Sequence, residues 1–319
     1  MTTGMRAGAN ASQNRLSMIL ESAWATTPAT PAFTNLRITS EDISAAKETV
    51  RSEEIRPDRN VTDEIMVGRN VTGGLDFELS YGNFDAIIQS LMFSSWSSDI
   101  IKNGAAVGDS MTLERRVALP SGSYDYHRFV GCVVNTLSLE MTAGQIITGR
   151  AEVMGKFGGR ATSIITGATY TDSSTEPVMN AANQFGSLAI TGVTGTPKLR
   201  SLSISMTNNL REQDALGSLD AIGLAPGRFE ATGSMEVYFE NGNMYDAFLN
   251  HDDLALAFTL GSVTTKKYTI TVPTLKLAGD PGIGTPGNDE DVMANFDFTA
   301  IFDRLTTENA SVVIERAVA

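Results

Sequence analysis

A strand, a tight turn and a short helix follow one another at residues 72–92, and this unit constrains the fold more than any other stretch. Apolar and polar side chains alternate over residues 75–80, which is the period of a half-buried strand. Gly82 ends the alternation, and Asn83 is a favourable N-cap for a helix. The helix then has one apolar face, formed by Phe84, Ile87, Ile88, Leu91 and Met92. The stretch therefore predicts a strand followed by a helix that packs on the sheet.

The same plan returns in the second half of the chain. Thr72, Gly73, Gly82 and Asn83 recur 160 residues later, as Thr232, Gly233, Gly242 and Asn243. An apolar helical pattern again follows the turn, with Met244, Ala247 and Phe248. An offset of half of the 319 residues indicates two copies of one domain in tandem.

Composition limits what such a chain can do. Hydrophobic residues make up 42%, and 319 residues are enough for two cores. The net charge is 24 − 37 = −13, with −3 on residues 1–160 and −10 on residues 161–319. Such a field repels a polyanion, so binding to nucleic acid through overall charge is excluded.

The single cysteine excludes an intrachain disulfide. The longest early apolar run, residues 18–20, is too short for a signal peptide or a membrane span, so we expect cytoplasmic synthesis.

The pattern of small and polar residues predicts the domain boundaries. Residues 1–32 predict an N-terminal arm, which is either a frayed end or a segment packed on a neighbouring subunit with Trp24 as its anchor. Residues 33–160 predict the first domain, and residues 161–196, rich in Gly, Ser, Thr and Asn, predict a linker. Residues 197–319 predict the second domain, ending in a short C-terminal strand or arm.

Predicted strands greatly outnumber helices and follow one another without helical crossovers. Such an order favours mainly antiparallel sheets. The predicted fold is therefore mainly β, with two tandem duplicated β-sandwich or β-barrel domains and one flanking α-helix in each.

The segment 48–64 is dense in charge and lies between two predicted strands, so it predicts a long hairpin loop. One interpretation is a solvated loop. The other is a polar contact between identical copies of the chain, because mixed charges at this density can each meet an opposite charge. The residues of this contact would be Arg51, Glu53, Glu54, Arg56, Asp58 and Arg59.

No stretch predicts catalysis, a metal or a cofactor. His127 and Cys132 are five residues apart on one predicted strand, so their side chains point to opposite faces and cannot form a local dyad. His251 precedes two acids, a pattern more typical of a solvated helix end than of a metal site. Residues 282–287 match G-x-G-x-x-G, but a proline lies inside the match and acids follow it, which favours a hairpin loop over a dinucleotide site.

Several segments together carry a resemblance to a known family. They are residues 21–24 (Glu-Ser-Ala-Trp), 26–31 (Thr-Thr-Pro-Ala-Thr-Pro), 52–59, 72–85, 137–144, 148–149 and 154–156. With these the chain resembles the tail tube (major tail) proteins of long, non-contractile-tailed bacteriophages, and most closely those of flagellum-seeking phages of the Chi type. The resemblance covers most of the first half. The second half is recognised through its likeness to the first, and its longer loop at residues 279–291 departs from the pattern.

The resemblance implies a structural virion protein without enzymatic activity, assembled in the host cytoplasm. Its β domains would form rings that stack into a hollow tube, through which genomic DNA passes without specific binding. The implied partners are further copies of the chain, a tape-measure protein, and tail-terminator and tail-tip proteins, with no membrane. Single-domain tube proteins of this kind build sixfold rings, so two domains per chain predict homotrimeric, pseudo-sixfold rings. Six chains per ring, with one domain lining the bore, are the competing arrangement.

An acidic bore would release DNA more readily than a basic one. The polar strand faces that carry Asp76, Glu78 and Glu236 are therefore the lumen-facing candidates. An alternative function is a carbohydrate-binding, adhesin-like β module of a phage or cell surface, which would need exposed aromatic platforms. A hydrolase ranks third, because no catalytic pattern supports it.

Overall fold

The computed structural model describes residues 8–104, 108–284, 287–303 and 306–317. The first half contains β1 (Arg15–Leu20), β2 (Ala32–Asn35), β3 (Ser40–Glu41), β4 (Ser44–Arg51), β5 (Glu64–Glu78), α1 (Asp85–Met92), β6 (Ile100–Lys102), β7 (Met111–Ala118), β8 (Tyr124–Thr142), β9 (Thr148–Gly155), β10 (Phe157–Ala161) and β11 (Thr169–Thr171). The second half contains β12 (Phe185–Thr191), β13 (Leu199–Thr207), β14 (Arg211–Gln213), β15 (Gly223–Ala225), β16 (Glu230–Tyr238), α2 (Asn243–Asn250), β17 (Leu254–Val263), β18 (Lys266–Ala278), β19 (Met293–Ala300) and β20 (Val313–Ala317). The predicted mainly β fold with two flanking helices is confirmed.

One antiparallel sheet crosses both halves of the chain. Its order is β4–β5–β9–β8–β13–β16–β19–β18, with the short β3 beside β4 on the same edge of β5. We call it the central sheet. The two halves meet outside this sheet where β20 pairs with β6. Within the sheet they meet where β13 pairs with β8, from Ser201 opposite Thr142 to Thr207 opposite Thr136. We call this pairing the central joint.

The long strand β8 belongs to two layers of the first half. Its beginning, up to Cys132, pairs with β7, and residues 126–130 pair with β10. From Val133 onward the strand pairs with β9 and then with β13, inside the central sheet. The outer layer of the first half also contains β1, beside β7, and β2, beside β1 and β11. In the second half β17, β18 and β20 form the corresponding outer layer, with β12 beside β17.

The buried core lies between the central sheet and the outer layers. Alternating side chains of the central-sheet strands point into it, among them Leu75, Phe77, Leu137, Leu139, Leu202, Ile204, Met235, Phe296 and Phe298. The predicted apolar face of α1 is confirmed, since Phe84, Ile87, Ile88, Leu91 and Met92 are all buried. The core is continuous from the first half to the second. The two halves therefore bury apolar side chains against each other in one core.

The two halves have the same pairing pattern. In the first half β1 pairs with β7, β7 with β8, β8 with β9 and β10, β9 with β5, and β5 with β4. In the second half β12 pairs with β17, β17 with β18, β18 with β19 and β20, β19 with β16, and β16 with β13. The register agrees as well, because Ser44 lies opposite Thr72 and Ser205 lies opposite Thr232. Tandem duplication itself stays a prediction.

The structure differs from three expectations. Within the predicted arm of residues 1–32, β1 is paired along its length with β7, and residues 1–7 lie outside the described residues. The segment 161–196 is not only a linker, since it supplies β11 to the first half and β12 to the second. Asn83 does not cap α1, because the helix begins at Asp85 and the Asn83 amide donates to the Ser80 hydroxyl.

Replacing Ile88 by Asp tests the packing of α1. The Ile88 side chain is 6% exposed, so the aspartate would place an unpaired charge in the core. We expect the free energy of unfolding to fall by about 3 kcal/mol or more, measured by chemical denaturation. Leu249→Asp on α2 is the matched control, because Leu249 is 62% exposed and its replacement should cost little. Equal stability of the Ile88 variant and the native protein would contradict this packing.

Candidate functional site

The face of the central sheet that points away from the core is polar across both halves. Paired residues form rows on this face, since directly opposed residues in a sheet share a face. One row contains Asp76, Arg150, Ser138, Ser205, Thr232 and Thr299, and the next contains Glu78, Thr148, Glu140, Ser203, Ser234 and Asp297. This face, which we call the polar face, extends over both halves of the chain and is a candidate functional surface.

The polar face is acidic. Its rows from β5 across to β18, leaving out the β4–β5 pairing, carry seven carboxylates, namely Asp76, Glu78, Glu140, Glu152, Glu230, Glu236 and Asp297, against the two cations Arg150 and Lys276, which gives 2 − 7 = −5. The three candidates from the sequence, Asp76, Glu78 and Glu236, thus lie on one face of one sheet. Whether that face lines a bore stays a prediction.

Arg150 organises the charges at the first-half end of the polar face. Its guanidinium contacts Asp42 at 2.8 Å, Asp76 at 3.1 Å and Glu152 at 3.4 Å. The pKa of Asp42 is lowered, first by a hydrogen bond from the Gly74 amide and then by Arg150. The pKa of Asp76 is lowered by a hydrogen bond from the Ser40 hydroxyl and then by Arg150. Both carboxylates are therefore ionised at neutral pH, and part of their charge is balanced.

The predicted hairpin at residues 48–64 extends beyond the central sheet as an arm. The strands β4 and β5 continue to Arg51 and Glu64, and residues 52–63 form the tip. The six predicted contact residues, Arg51, Glu53, Glu54, Arg56, Asp58 and Arg59, are all exposed. Arg56 holds Asp58 through two hydrogen bonds of 3.0 and 2.9 Å, so these charges meet within the tip. The sequence prediction missed Ile55, which is 98% exposed at the tip.

A second arm occupies the matching place in the second half. The hairpin β14–β15 lies in the chain between β13 and β16. The outer part of the β4–β5 hairpin lies in the same way between the inner parts of β4 and β5. At the tip of the second arm the Leu216 side chain is fully exposed. The two arms are joined by Arg69, which holds Asp220 through two 2.8 Å hydrogen bonds. This arm was not predicted, because residues 208–229 lack dense charge. Apolar residues beside turn-forming residues, such as Leu216 before Gly217, were the available signal.

Trp24 contacts its own chain. Its indole N–H donates to the Gly131 carbonyl at 3.3 Å, and the Lys156 ammonium lies 4.9 Å from the ring centre. The turn that carries it is fixed by the buried carboxylate of Glu21, which accepts hydrogen bonds from the Ala25 and Gly131 amides and from the Ser110 and Thr112 hydroxyls. A contact of Trp24 with a neighbouring subunit stays a prediction.

Two residues considered for catalysis or metal binding, Cys132 and Asp253, have structural roles. Cys132 is fully buried, and burial raises the pKa of its thiol, which makes it a poor nucleophile. Beside His251, Asp253 is paired with the Lys276 ammonium at 2.8 Å. Within the described ranges no group of three or more His, Cys, Asp or Glu side chains could hold a metal ion. No helix in the described part of the chain is long and apolar enough to span a membrane.

A polar-faced sheet whose outermost strands have no further strand partner among the described residues, with two projecting arms, offers surface for contacts with other copies of the chain. Comparison with family models agrees with this interpretation. Residues 11–300 match the family described as phage tail tube protein, so the chain belongs to the phage tail tube family. A search of curated proteins finds no significant match. The chain is accordingly a structural component of a phage virion.

Replacing Arg150 by Gln tests the charge network. The loss of the cation leaves Asp42 and Asp76 less well paired, and we expect a loss of about 0.5–1 kcal/mol of stability at pH 7, because both pairs are partly exposed and screened. Since the folded-state pKa values of both carboxyls are lowered, their stabilisation is present above the unfolded pKa of about 4 and is lost as pH falls below it. The difference between native and variant stability should therefore shrink below about pH 4. A constant difference from pH 7 to pH 3 would contradict the assignment.

Proposed function

We propose that this chain is the subunit of a tail tube through which the phage delivers its genomic DNA. The observation that carries the proposal is the central joint, where the two matching halves lie side by side in one sheet with one polar face. Each half contributes four strands to this sheet, so the chain already contains one copy of a lateral contact between neighbouring units. Repetition of that contact from chain to chain closes a ring.

Three chains make the ring in this proposal. Each chain supplies two units and eight central-sheet strands, so three chains supply six units and 3 × 8 = 24 strands. A closed sheet leaves no edge strand exposed to unwanted pairing. The symmetry is a true threefold and an approximate sixfold. The matching pairing patterns of the two halves support this arrangement and the duplication on which it rests.

The polar face forms the wall of the bore. Asp76, Glu78 and Glu236 then face the lumen, and the excess of −5 per chain gives 3 × −5 = −15 for each ring. DNA would be repelled weakly along the whole tube, so it passes without being held. The opposite face of the same strands is buried core, which leaves the polar face as the one free to line a channel.

The arms form the contact between stacked rings. The charged tip with Arg51, Glu53, Glu54, Arg56, Asp58 and Arg59 supplies polar contacts, and exposed apolar residues add area that association would bury. These apolar residues are Val50, Ile55, Val61, Ile65 and Val67 on the first arm, with Leu216, Leu219 and Ile222 on the second. Because Arg69 ties the arms together, they would act as one unit.

The remaining parts of the proposal follow from membership of the family. The tube would bind a tape-measure protein within and tail-terminator and tail-tip proteins at its ends, and assembly would take place in the host cytoplasm. Similarity to Chi-type phages rests on the segments quoted from the first half. The protein would have no enzymatic activity and no cofactor. An adhesin-like carbohydrate module is less well supported, because no observation on the polar face favours a sugar platform.

Electron microscopy of the purified, assembled protein tests the ring. We expect averaged end views with three chains around a bore bounded by six similar units, and a map of the wall that shows net negative charge. Six full chains per ring would contradict the threefold arrangement. Discrete particles without rings or tubes, under conditions that keep the chain folded, would contradict the tail tube function itself.

Deleting residues 51–59 tests the stacking contact. Because these residues lie at the exposed tip of the first arm, the shortened chain should fold with an unchanged melting temperature and still form rings. Those rings should not stack, since the contact with the next ring is lost. Micrographs that show tubes of native length from the deletion variant would remove the arm from the inter-ring contact.

A further inference from the structure

We propose that residues 8–10 of one chain bind the second half of another copy of the chain, where they pair with the backbone of Phe239 and Val292. The contact repeats one that the linker segment, residues 161–196, makes with the first half. It rests on the proposed tube, in which copies of the chain are neighbours, but it involves residues that the central joint does not use.

The linker segment adds a short piece of strand to the end of the first half. The Met179 amide donates to the Leu79 carbonyl at 2.8 Å, and the Ile147 amide donates to the Met179 carbonyl at 3.0 Å. The exposed fractions of Leu79, Ile147 and Met179 are 3%, 0% and 3%. The linker thus satisfies one free acceptor and one free donor of the sheet, and it buries the side chains beside them.

The matching place in the second half has no such cover. Phe239 and Val292 occupy it, because the Phe239 amide donates to the Val292 carbonyl as the Leu79 amide donates to the Ile147 carbonyl. Both side chains are 38% exposed, and Phe239 lines a pocket of about 60 Å³. Within the described residues the Phe239 carbonyl and the Val292 amide have no hydrogen-bond partner. The second half therefore presents the donor and the acceptor that Met179 satisfies in the first half.

The chain before β1 repeats the turn that precedes β12. Asn10 lies five residues before the first residue of β1, and Asn180 lies five residues before the first residue of β12. An alanine follows each asparagine. The Asn10 side chain accepts a hydrogen bond from the Ser12 amide at 3.0 Å, and the Asn180 side chain accepts one from the Ala182 amide at 3.0 Å. Residues 8–10 therefore enter the first half as residues 178–180 enter the second.

This equivalence determines what residues 8–10 would contact. At an offset of 170, Ala9 takes the place of Met179. Residues 178–180 precede the second half and cross the end of the first half. Residues 8–10 precede the first half, so the same path takes them across the second half of the neighbouring chain. There the Ala9 amide would donate to the Phe239 carbonyl, and the Val292 amide would donate to the Ala9 carbonyl.

A second copy of the chain fits this place better than another partner does. Residues 8–10 are exposed in the single chain, and the space around Gly8 is open, so their backbone is free to pair. Residues 1–9 contain one base, Arg6, and no acid, whereas residues 161–319 carry a net charge of −10. Opposite charges and a backbone pairing that the chain already makes once within itself favour the same contact.

Single cysteines on two sets of chains test the contact. Val178 lies opposite Ser80 in the linker contact, so Gly8 should lie opposite Glu240 of the second copy. Directly opposed residues in an antiparallel sheet have Cα atoms about 4.5–5.5 Å apart, within the range that a disulfide spans. Gly8→Cys chains mixed with Glu240→Cys chains before assembly should therefore give a covalent dimer on a non-reducing gel, after mild oxidation of the tubes.

Two controls accompany this experiment. Gly8→Cys chains mixed with Thr232→Cys chains should stay monomeric on the gel, because Thr232 is exposed but lies eight residues before Glu240, about 26 Å along the strand. Ser80→Cys and Val178→Cys in one chain should form a disulfide within that chain, since the two residues are directly opposed. The buried thiol of Cys132 is common to all variants and does not distinguish them.

The outcomes separate the contact from the function. Normal tubes without a dimer of the Gly8 and Glu240 cysteines would overturn the contact and leave the tail tube function intact. With both cysteines in one chain, a disulfide that closes within that chain would overturn binding to a second copy. A native protein that forms neither rings nor tubes would overturn the tail tube function, and this contact with it.

A proline at residue 9 gives a second readout. Ala9→Pro removes the amide that would bind the Phe239 carbonyl. Tubes of this variant should dissociate at a lower temperature than native tubes, as followed by light scattering. The melting temperature of the single chain should stay unchanged, because Ala9 is exposed there.

The matched control for this variant is Ala7→Pro. At the offset of 170 the linker segment itself has a proline, Pro177, so a proline at residue 7 is compatible with the contact. Tubes of the Ala7 variant should be as stable as native tubes. Equal dissociation temperatures for the Ala9 variant and the native protein would overturn the backbone pairing.

Discussion

The pairing of β13 with β8 is the interaction on which the rest of the structure depends. Seven residue pairs hold the two halves in one sheet, from Ser201 opposite Thr142 to Thr207 opposite Thr136. Because the pairing fixes the register, it also aligns every row of the polar face across both halves. The same pairing brings the outer layer of the second half onto α1, so that one core serves the whole chain.

A sheet made in this way has a free edge at each end. Isolated edge strands bind other strands readily, and soluble monomers normally protect them with charge, bulges or covering segments. Here β4 is long and fully exposed, and the end of β18 is open on one side. In a member of the phage tail tube family, such edges are available for assembly with further copies of the chain.

Local sequence predicted much of this fold. Alternation identified the strand from residue 75. The turn at Gly82 with its apolar helix was found together with its repeat at Gly242, because these signals come from neighbouring residues. The charged hairpin and the polar strand faces that carry Asp76, Glu78 and Glu236 were also predicted, since alternation along one strand needs no tertiary information. That these faces line a bore stays a prediction. The cap expected at Asn83 was wrong because its amide found the Ser80 hydroxyl instead.

The sequence by itself determined the β class, the repeat and the absence of a catalytic pattern, because periodicity and residue type carry these properties. Only the tertiary structure decided which strands are neighbours. Strand pairing joins residues far apart in the chain, such as Ser138 with Ser205, and no local pattern encodes that choice. It placed β1 and β12 inside the outer layers rather than in an arm and a linker, and it revealed the second arm. It also exposed Phe239 where the matching Leu79 is buried, a difference that depends on what lies beside each residue in space.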